Sequence, residues 1–161
     1  MIKFKQQKKE GLALLEAVIA TSIVVLFLSS LIGAYNLYLR VSLENLRKVQ
    51  ATFLAEEGVE ALRLLRDNSW SNISNLSLTT DYKLVWNGVS WATTTNTIVS
   101  DGKFFRTFRL GEVLRDSNSD IVLSGGTSDQ NSRKITVKVE WNEHGATSTK
   151  IIEAYTSNLF N

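Results

Sequence analysis

Cysteine and proline are both missing from this 161-residue chain, and histidine occurs once. Without cysteine there can be no disulfide, thiolate metal site or cysteine nucleophile, and a single histidine does not furnish a histidine-based metal centre. Average usage of ~5% would place roughly 8 prolines in a chain of this length. With none, nothing forces a kink, so long uninterrupted helices are open to it. The length suits about one domain and excludes a large multidomain enzyme, while 43% apolar and 21% charged residues are near globular averages.

Charge of one sign is scarce outside the first residues. Residues 1–11 carry Lys3, Lys5, Lys8 and Lys9 against Glu10, a net +3 that leaves the other 150 residues at −1 within the total of +2. Binding to nucleic acid would need a basic patch in the body of the chain, where Arg106, Arg109 and Arg115 form only a modest cluster. Nucleic acid is therefore not expected as a partner.

One long apolar run is present. Residues 12–35 contain a single charge, Glu16, and as a helix at 1.5 Å per residue they would cover roughly 36 Å, enough to cross a bilayer core. The lysines before the run place the N-terminus in the cytoplasm and everything after about residue 40 outside. Three readings compete: a cleaved secretory signal, a plain bitopic anchor, and a helix that is both anchor and assembly element. The run is longer than the ~7–15 residues of a secretory signal and ends in Tyr35-Asn36-Leu37-Tyr38 rather than a small-x-small site. A plain anchor has no use for Glu16, which costs about 2–3 kcal/mol at depth unless it is paired or near the interface.

The stretch Lys8-Lys9-Glu10-Gly11-Leu12-Ala13-Leu14-Leu15-Glu16-Ala17 resembles the start of type IV prepilins and pseudopilins. That resemblance implies cleavage after Gly11 by a membrane prepilin peptidase and methylation of the new N-terminal Leu12. It also implies an assembly role for Glu16, the fifth mature residue. Leu12 stands where members of that family usually carry Phe. The spacing has a physical rationale, since cleavage creates an α-amino cation on Leu12 one helical turn from Glu16. Pairing of the two in a bundle of apolar helices would neutralise both charges and set an axial register. A Glu16 that merely snorkels to the membrane edge is the plainer alternative.

Beyond the apolar run the helical pattern becomes amphipathic. Arg40, Glu44, Lys48, Thr52, Glu56, Glu60, Arg63 and Asp67 recur at steps of three or four, while Leu39, Leu43, Leu46, Phe53, Leu54, Ala61, Leu62 and Leu65 follow another face. The two parts predict one helix over 12–67. Gly33 and Gly58 each cost it about 1 kcal/mol relative to Ala, so local softening is possible without a break, Gly33 being the better candidate; close packing of small residues in the membrane is the other reading of Gly33. After residue 80 the composition turns to β-branched and aromatic residues. Strands are predicted over 82–86 and 89–94 around the Asn87-Gly88 turn, over 103–110, and as a closing hairpin of 135–141 and 149–156 joined by 142–146.

The expected fold class is thus α+β: a long N-terminal helix, transmembrane then amphipathic, packed on a C-terminal antiparallel sheet, which is also the pilin architecture the resemblance implies. The divisions are a leader at 1–11, a transmembrane and filament-core helix at 12–39, and a head at 40–161 with its helix over 40–67 and its sheet over 80–158. The run Ala55-Glu56-Glu57-Gly58-Val59-Glu60-Ala61-Leu62-Arg63 and the closing hairpin are similar to minor pilins of the PilV-like kind.

Other groups read as ordinary surface. Glu56, Glu57 and Glu60 have no histidine beside them and suit a solvated helix face, and His144 falls in a hairpin loop with no nucleophile nearby. Asp116-Ser117-Asn118-Ser119-Asp120 matches the first half of a calcium loop, which makes Asp116, Asn118 and Asp120 the calcium candidates. Ile121 and Thr127, however, stand where such a loop needs Gly and Glu. Related pseudopilins include calcium binders, but neither metal nor cofactor is assigned here. Residues 91–96 and 125–132 read as exposed tips.

The expectation is a non-catalytic subunit held in the cytoplasmic membrane by a single pass and then moved into an extracellular filament. Its partners would be other pilin subunits, prepilin peptidase, an inner-membrane assembly platform and membrane lipid. The alternatives are a pseudopilin of a type II secretion or DNA-uptake system and an unprocessed bitopic binding module.

Overall fold

The computed structural model describes residues 4–96, 102–143 and 145–159, with side chains from residue 11 onward. The chain divides into two units, residues 1–45 and 46–161. Helix α1 (Phe4–Asn68) supplies all of the described first unit and the first element of the second. The absence of proline lets its hydrogen-bond ladder run on without a missing donor. At its end, Asn68, one last-turn carbonyl takes two donors. The Ser69 amide donates to Leu65 O at 3.2 Å, and Asn72 Nδ2 donates to the same oxygen at 3.0 Å. The chain then turns through α2 (Ser71–Ser74), which buries Ile73.

In the second unit the main sheet is antiparallel, in the order β3 (Phe104–Gly111), β7 (Ser132–Glu143), β8 (Ala146–Ser157). A hairpin of β1 (Lys83–Trp86) and β2 (Trp91–Thr94) stands beside it, linked by the bridge between Tyr82 and Phe108. Period-two alternation does the work expected of it. Ile135, Val137, Val139 and Trp141 are all buried, as are Phe104, Phe108 and Leu110 on β3, while Phe105 and Arg109 face out. Phe104 and Trp141 pair across the two strands with ring centroids 6.0 Å apart.

The buried face of α1 is the expected one in part. Of the expected residues Ala61 and Leu62 are buried and Leu54 and Leu65 pack against the core, with Ala51, Ala55, Gly58 and Val59 buried beside them, whereas Leu46 and Phe53 are exposed, Phe53 at 64%; in the first unit Leu39 and Leu43 are exposed too. Close approach adds the small residues to the face. A Cβ on Gly58 would lie 3.0 Å from Val137 Cγ1 and 3.2 Å from Arg106 Cδ, so at this point of the interface only the smallest side chain fits. Gly58 is thus a packing position and not a point of softening. Gly33 has nothing within 4 Å of a Cβ position, so no close packing of small residues forms around it within the chain.

Three further differences are local. The first hairpin closes through a four-residue connection, so Val89 lies in the loop and not in a strand. Asn87 Oδ1 accepts the amides of Val89 and Ser90 at 3.0 and 2.8 Å, and Gly88 takes φ +95°; side-chain capping by Asn87 displaced the two-residue turn. Residues 91–94 form β2 and are half-buried, not an exposed tip. The 112–131 region carries three short strands, β4 (Leu114–Arg115), β5 (Ile121–Val122) and β6 (Thr127–Ser128), in the order β5-β4-β6. Two-residue strands leave no readable alternation.

Candidate functional site

The described part of the first unit is a single stretch of helix. Its large apolar residues from Leu12 to Tyr35 are between 49 and 71% exposed, and consecutive ones, such as Ile23 through Leu28, point in every direction around the axis. Covering a side chain of this kind is worth about 1.5–3 kcal/mol. Leaving more than a dozen in water would therefore exceed the ~5–15 kcal/mol net stability of a whole domain. The hydroxyls in the run need no water. Thr21 donates to Ala17 O at 2.9 Å, Ser22 to Val18 O at 2.6 Å, Ser29 to Val25 O at 2.8 Å and Ser30 to Leu26 O at 2.9 Å. The helix from Gly11 is long and apolar enough to cross a membrane, and it is a candidate single span.

At the start of that run Gly11 sits inside α1 with open space around it, Leu12 is 66% exposed, and Glu16 lies one turn further along on the surface. Among the described residues no ion pair involves Glu16. A carboxylate in an apolar surface without a partner is costly in lipid.

The calcium candidates lie together on one tight turn. Asp116 Oδ1 accepts the amides of Asn118 and Asp120 at 2.9 and 3.0 Å, so that oxygen serves the turn itself, and Ser119 adopts φ 68°. No group of three or more acidic or histidine side chains that could hold a metal occurs among the described residues.

Next to this turn, Arg115 Nε donates to Asp129 Oδ2 at 2.7 Å, and Ser132 Oγ donates to the same oxygen at 2.7 Å. The hydrogen bond from Arg115, then that from Ser132, hold the Asp129 carboxyl at about 2, opposed by partial burial. The folded-state value lies below the ordinary carboxylate range near 4, so the stabilisation is present above pH ~4 and is lost as pH falls through about 2. Between pH 5 and 2 the wild-type head should lose about 2 kcal/mol more stability than Asp129→Asn. Urea titrations at the two pH values, followed by tryptophan fluorescence, measure this difference; equal losses would refute it.

The arginines expected as a basic cluster do not share a surface. Arg106 is buried, donates to Leu54 O at 2.9 Å and to Glu57 Oε2 at 2.5 Å, and sits 5.5 Å from the Trp91 ring centroid. Arg109 points to the other side of β3 and pairs with Asp81 at 2.9 Å, and Arg115 is engaged as above. A step of three positions puts 106 and 109 on opposite sheet faces, and each charge is met internally. Glu56, Glu57 and Glu60 are exposed, with Glu60 paired to Arg63 at 2.5 Å, but Glu57 also anchors Arg106, a role beyond that of a solvated face. His144 lies outside the described residues.

Sequence reasoning missed a cavity of about 310 Å³ lined by Leu64, Leu65 and Asn68 of α1 and by Trp86, Val89, Ser90 and Trp91 of the hairpin. The only hint of it in the chain is the pair of tryptophans flanking Asn87-Gly88. Scans of the chain against known protein families, curated proteins and solved structures gave no match.

Proposed function

We propose that the chain is a type IV prepilin-like subunit, of minor-pilin kind, that is stored in the cytoplasmic membrane with its N-terminus inside. After cleavage between Gly11 and Leu12 and methylation of Leu12, it is assembled with other pilin subunits into an extracellular filament. Prepilin peptidase and an inner-membrane assembly platform would be its processing and assembly partners. The observation that carries this reading is the coincidence of Gly11, Leu12 and Glu16 with the start of an apolar run on α1 whose large apolar side chains are exposed all round. Lipid can cover that surface in storage, and like helices can cover it in a polymer. The contact is heterologous, one stretch of helix against a different stretch of the next copy, and such contacts build open helical assemblies. A pseudopilin of a secretion or DNA-uptake machine would share the processing and differ in what the filament serves.

One observation favours a second reading, the unprocessed bitopic module: α1 passes through Gly11 without interruption, and peptidases act on extended backbone. Intact-mass measurement of the chain expressed in a host with the peptidase separates the two. The mature species should begin at methylated Leu12, and Gly11→Val should abolish cleavage while leaving insertion intact, because the lysines and the apolar run are unchanged. A membrane-resident chain still beginning at Met1 would reject the pilin reading in favour of the bitopic one.

A further inference from the structure

The cavity between α1 and the first hairpin has a composition that selects its ligand. Trp86 and Trp91 face each other across β1 and β2 with centroids 5.5 Å apart at 61°, so the hairpin offers both a ring face and a ring edge. Trp86 stays half exposed and Val89 almost wholly so. The helix side adds Leu64, Leu65 and Asn68, and among the described residues no charged side chain lines the space.

Both polar groups at the cavity retain hydrogen-bonding capacity. The exposed Asn68 amide has no hydrogen-bond partner among the described residues, which leaves two donors and an acceptor free. Ser90 Oγ accepts from Asn87 Nδ2 at 3.2 Å, leaving its own proton to donate. The aromatic side is braced by its neighbours. The Arg106 guanidinium lies 5.5 Å from the Trp91 centroid and is itself held by Leu54 O and Glu57, while Asn87 locks the amides of Val89 and Ser90. Little ordering is left for a ligand to impose.

We propose that this cavity is a binding subsite for one neutral pyranose ring of a glycan. Its volume is at the lower end of the ~300–1,000 Å³ of small-molecule sites, which suits a single ring. A phosphate or nucleotide would find no cation, and an organic cation no carboxylate. A purely apolar side chain would desolvate Asn68 without repaying its lost hydrogen bonds. A pyranose meets both demands: its C–H face carries the partial positive charge that the electron-rich indole face attracts, and its hydroxyls reach Asn68 and Ser90. The inference rests on the head alone and does not depend on the filament reading.

The test uses the full chain in micelles of a zwitterionic detergent without a sugar headgroup. Methyl glycosides of glucose, galactose, mannose and N-acetylglucosamine are titrated to about 50 mM, with cyclohexanol and glucose 6-phosphate as controls, and read by tryptophan fluorescence and saturation-transfer NMR. At least one glycoside should saturate with a dissociation constant of about 1–10 mM. Trp86→Ala should abolish the signal. Asn68→Ala, which removes an amide with no partner in the fold, should weaken binding about threefold to tenfold while leaving the urea midpoint unchanged. The proposal fails if no glycoside saturates, if cyclohexanol binds as tightly, or if Asn68→Ala binds as wild type does.

Discussion

Filaments sheared from cells carrying Glu16→Ala should contain at least about tenfold less of this subunit than wild-type filaments, at equal membrane pools. The expectation follows from where Glu16 lies. It is exposed on a helix that is otherwise apolar for several turns, and within the described residues no cation meets it. In the membrane the substitution removes a desolvation cost, so insertion should be unaffected or slightly favoured. Leader cleavage should also persist, since Gly11 and Leu12 are untouched. In the proposed polymer the α-amino group of each incoming Leu12 would be buried among apolar helices with Glu16 as its counter-ion. Breaking a buried pair by deleting one member costs about 3–5 kcal/mol because the other charge is left uncompensated. A tenfold effect needs only ~1.4 kcal/mol, so the margin is wide. Comparing the sheared fraction with the membrane fraction by quantitative immunoblot reads the ratio. Equal incorporation of the two forms would mean that Glu16 only snorkels at the membrane edge.

Gly58→Leu should destabilise the head by about 3–5 kcal/mol, whereas Gly33→Leu should leave it unchanged. A side chain at position 58 begins 3.0 Å from Val137 Cγ1 and 3.2 Å from Arg106 Cδ, both in the buried layer between α1 and the sheet. Leucine gains about 1 kcal/mol in helix propensity, but the overpacking costs about 1–3 kcal/mol. Displacing Arg106 also strains its bonds to Leu54 O and Glu57 and its stacking on Trp91, and a buried guanidinium stripped of its partners adds a penalty of the order of 3 kcal/mol. At position 33 no atom lies within 4 Å, so the same substitution there has nothing in the chain to disturb. All four tryptophans lie in the 46–161 unit, so urea unfolding in detergent, followed by their fluorescence, reports on the head alone. A Gly58→Leu midpoint matching the wild type would show that α1 can lift from the sheet at low cost.

The residues whose role depends on local pattern were legible, and those whose role depends on distance were not. The α+β class, the helix ending within a residue of 67, and the alternation of Ile135, Val137, Val139 and Trp141 follow from periodicity, and periodicity is a property of the chain itself. The apolar run and its single carboxylate are likewise plain in composition, because a membrane-length segment needs no partner in sequence to be recognised. Periodicity placed Leu54, Ala61, Leu62 and Leu65 on the buried face, but only the tertiary structure decided that Ala51, Ala55 and Gly58 are buried while Leu46 and Phe53 are exposed, because the helix approaches the sheet closely at Gly58. It also decided that Arg106 is an internal anchor and not part of a basic patch, since its partners Leu54 and Glu57 lie 52 and 49 residues away. The cavity at Trp86 and Trp91 is of the same kind. The Asn87 turn can be read along the chain, but the helix surface that closes the space comes from residues 64–68 and is brought there only by folding.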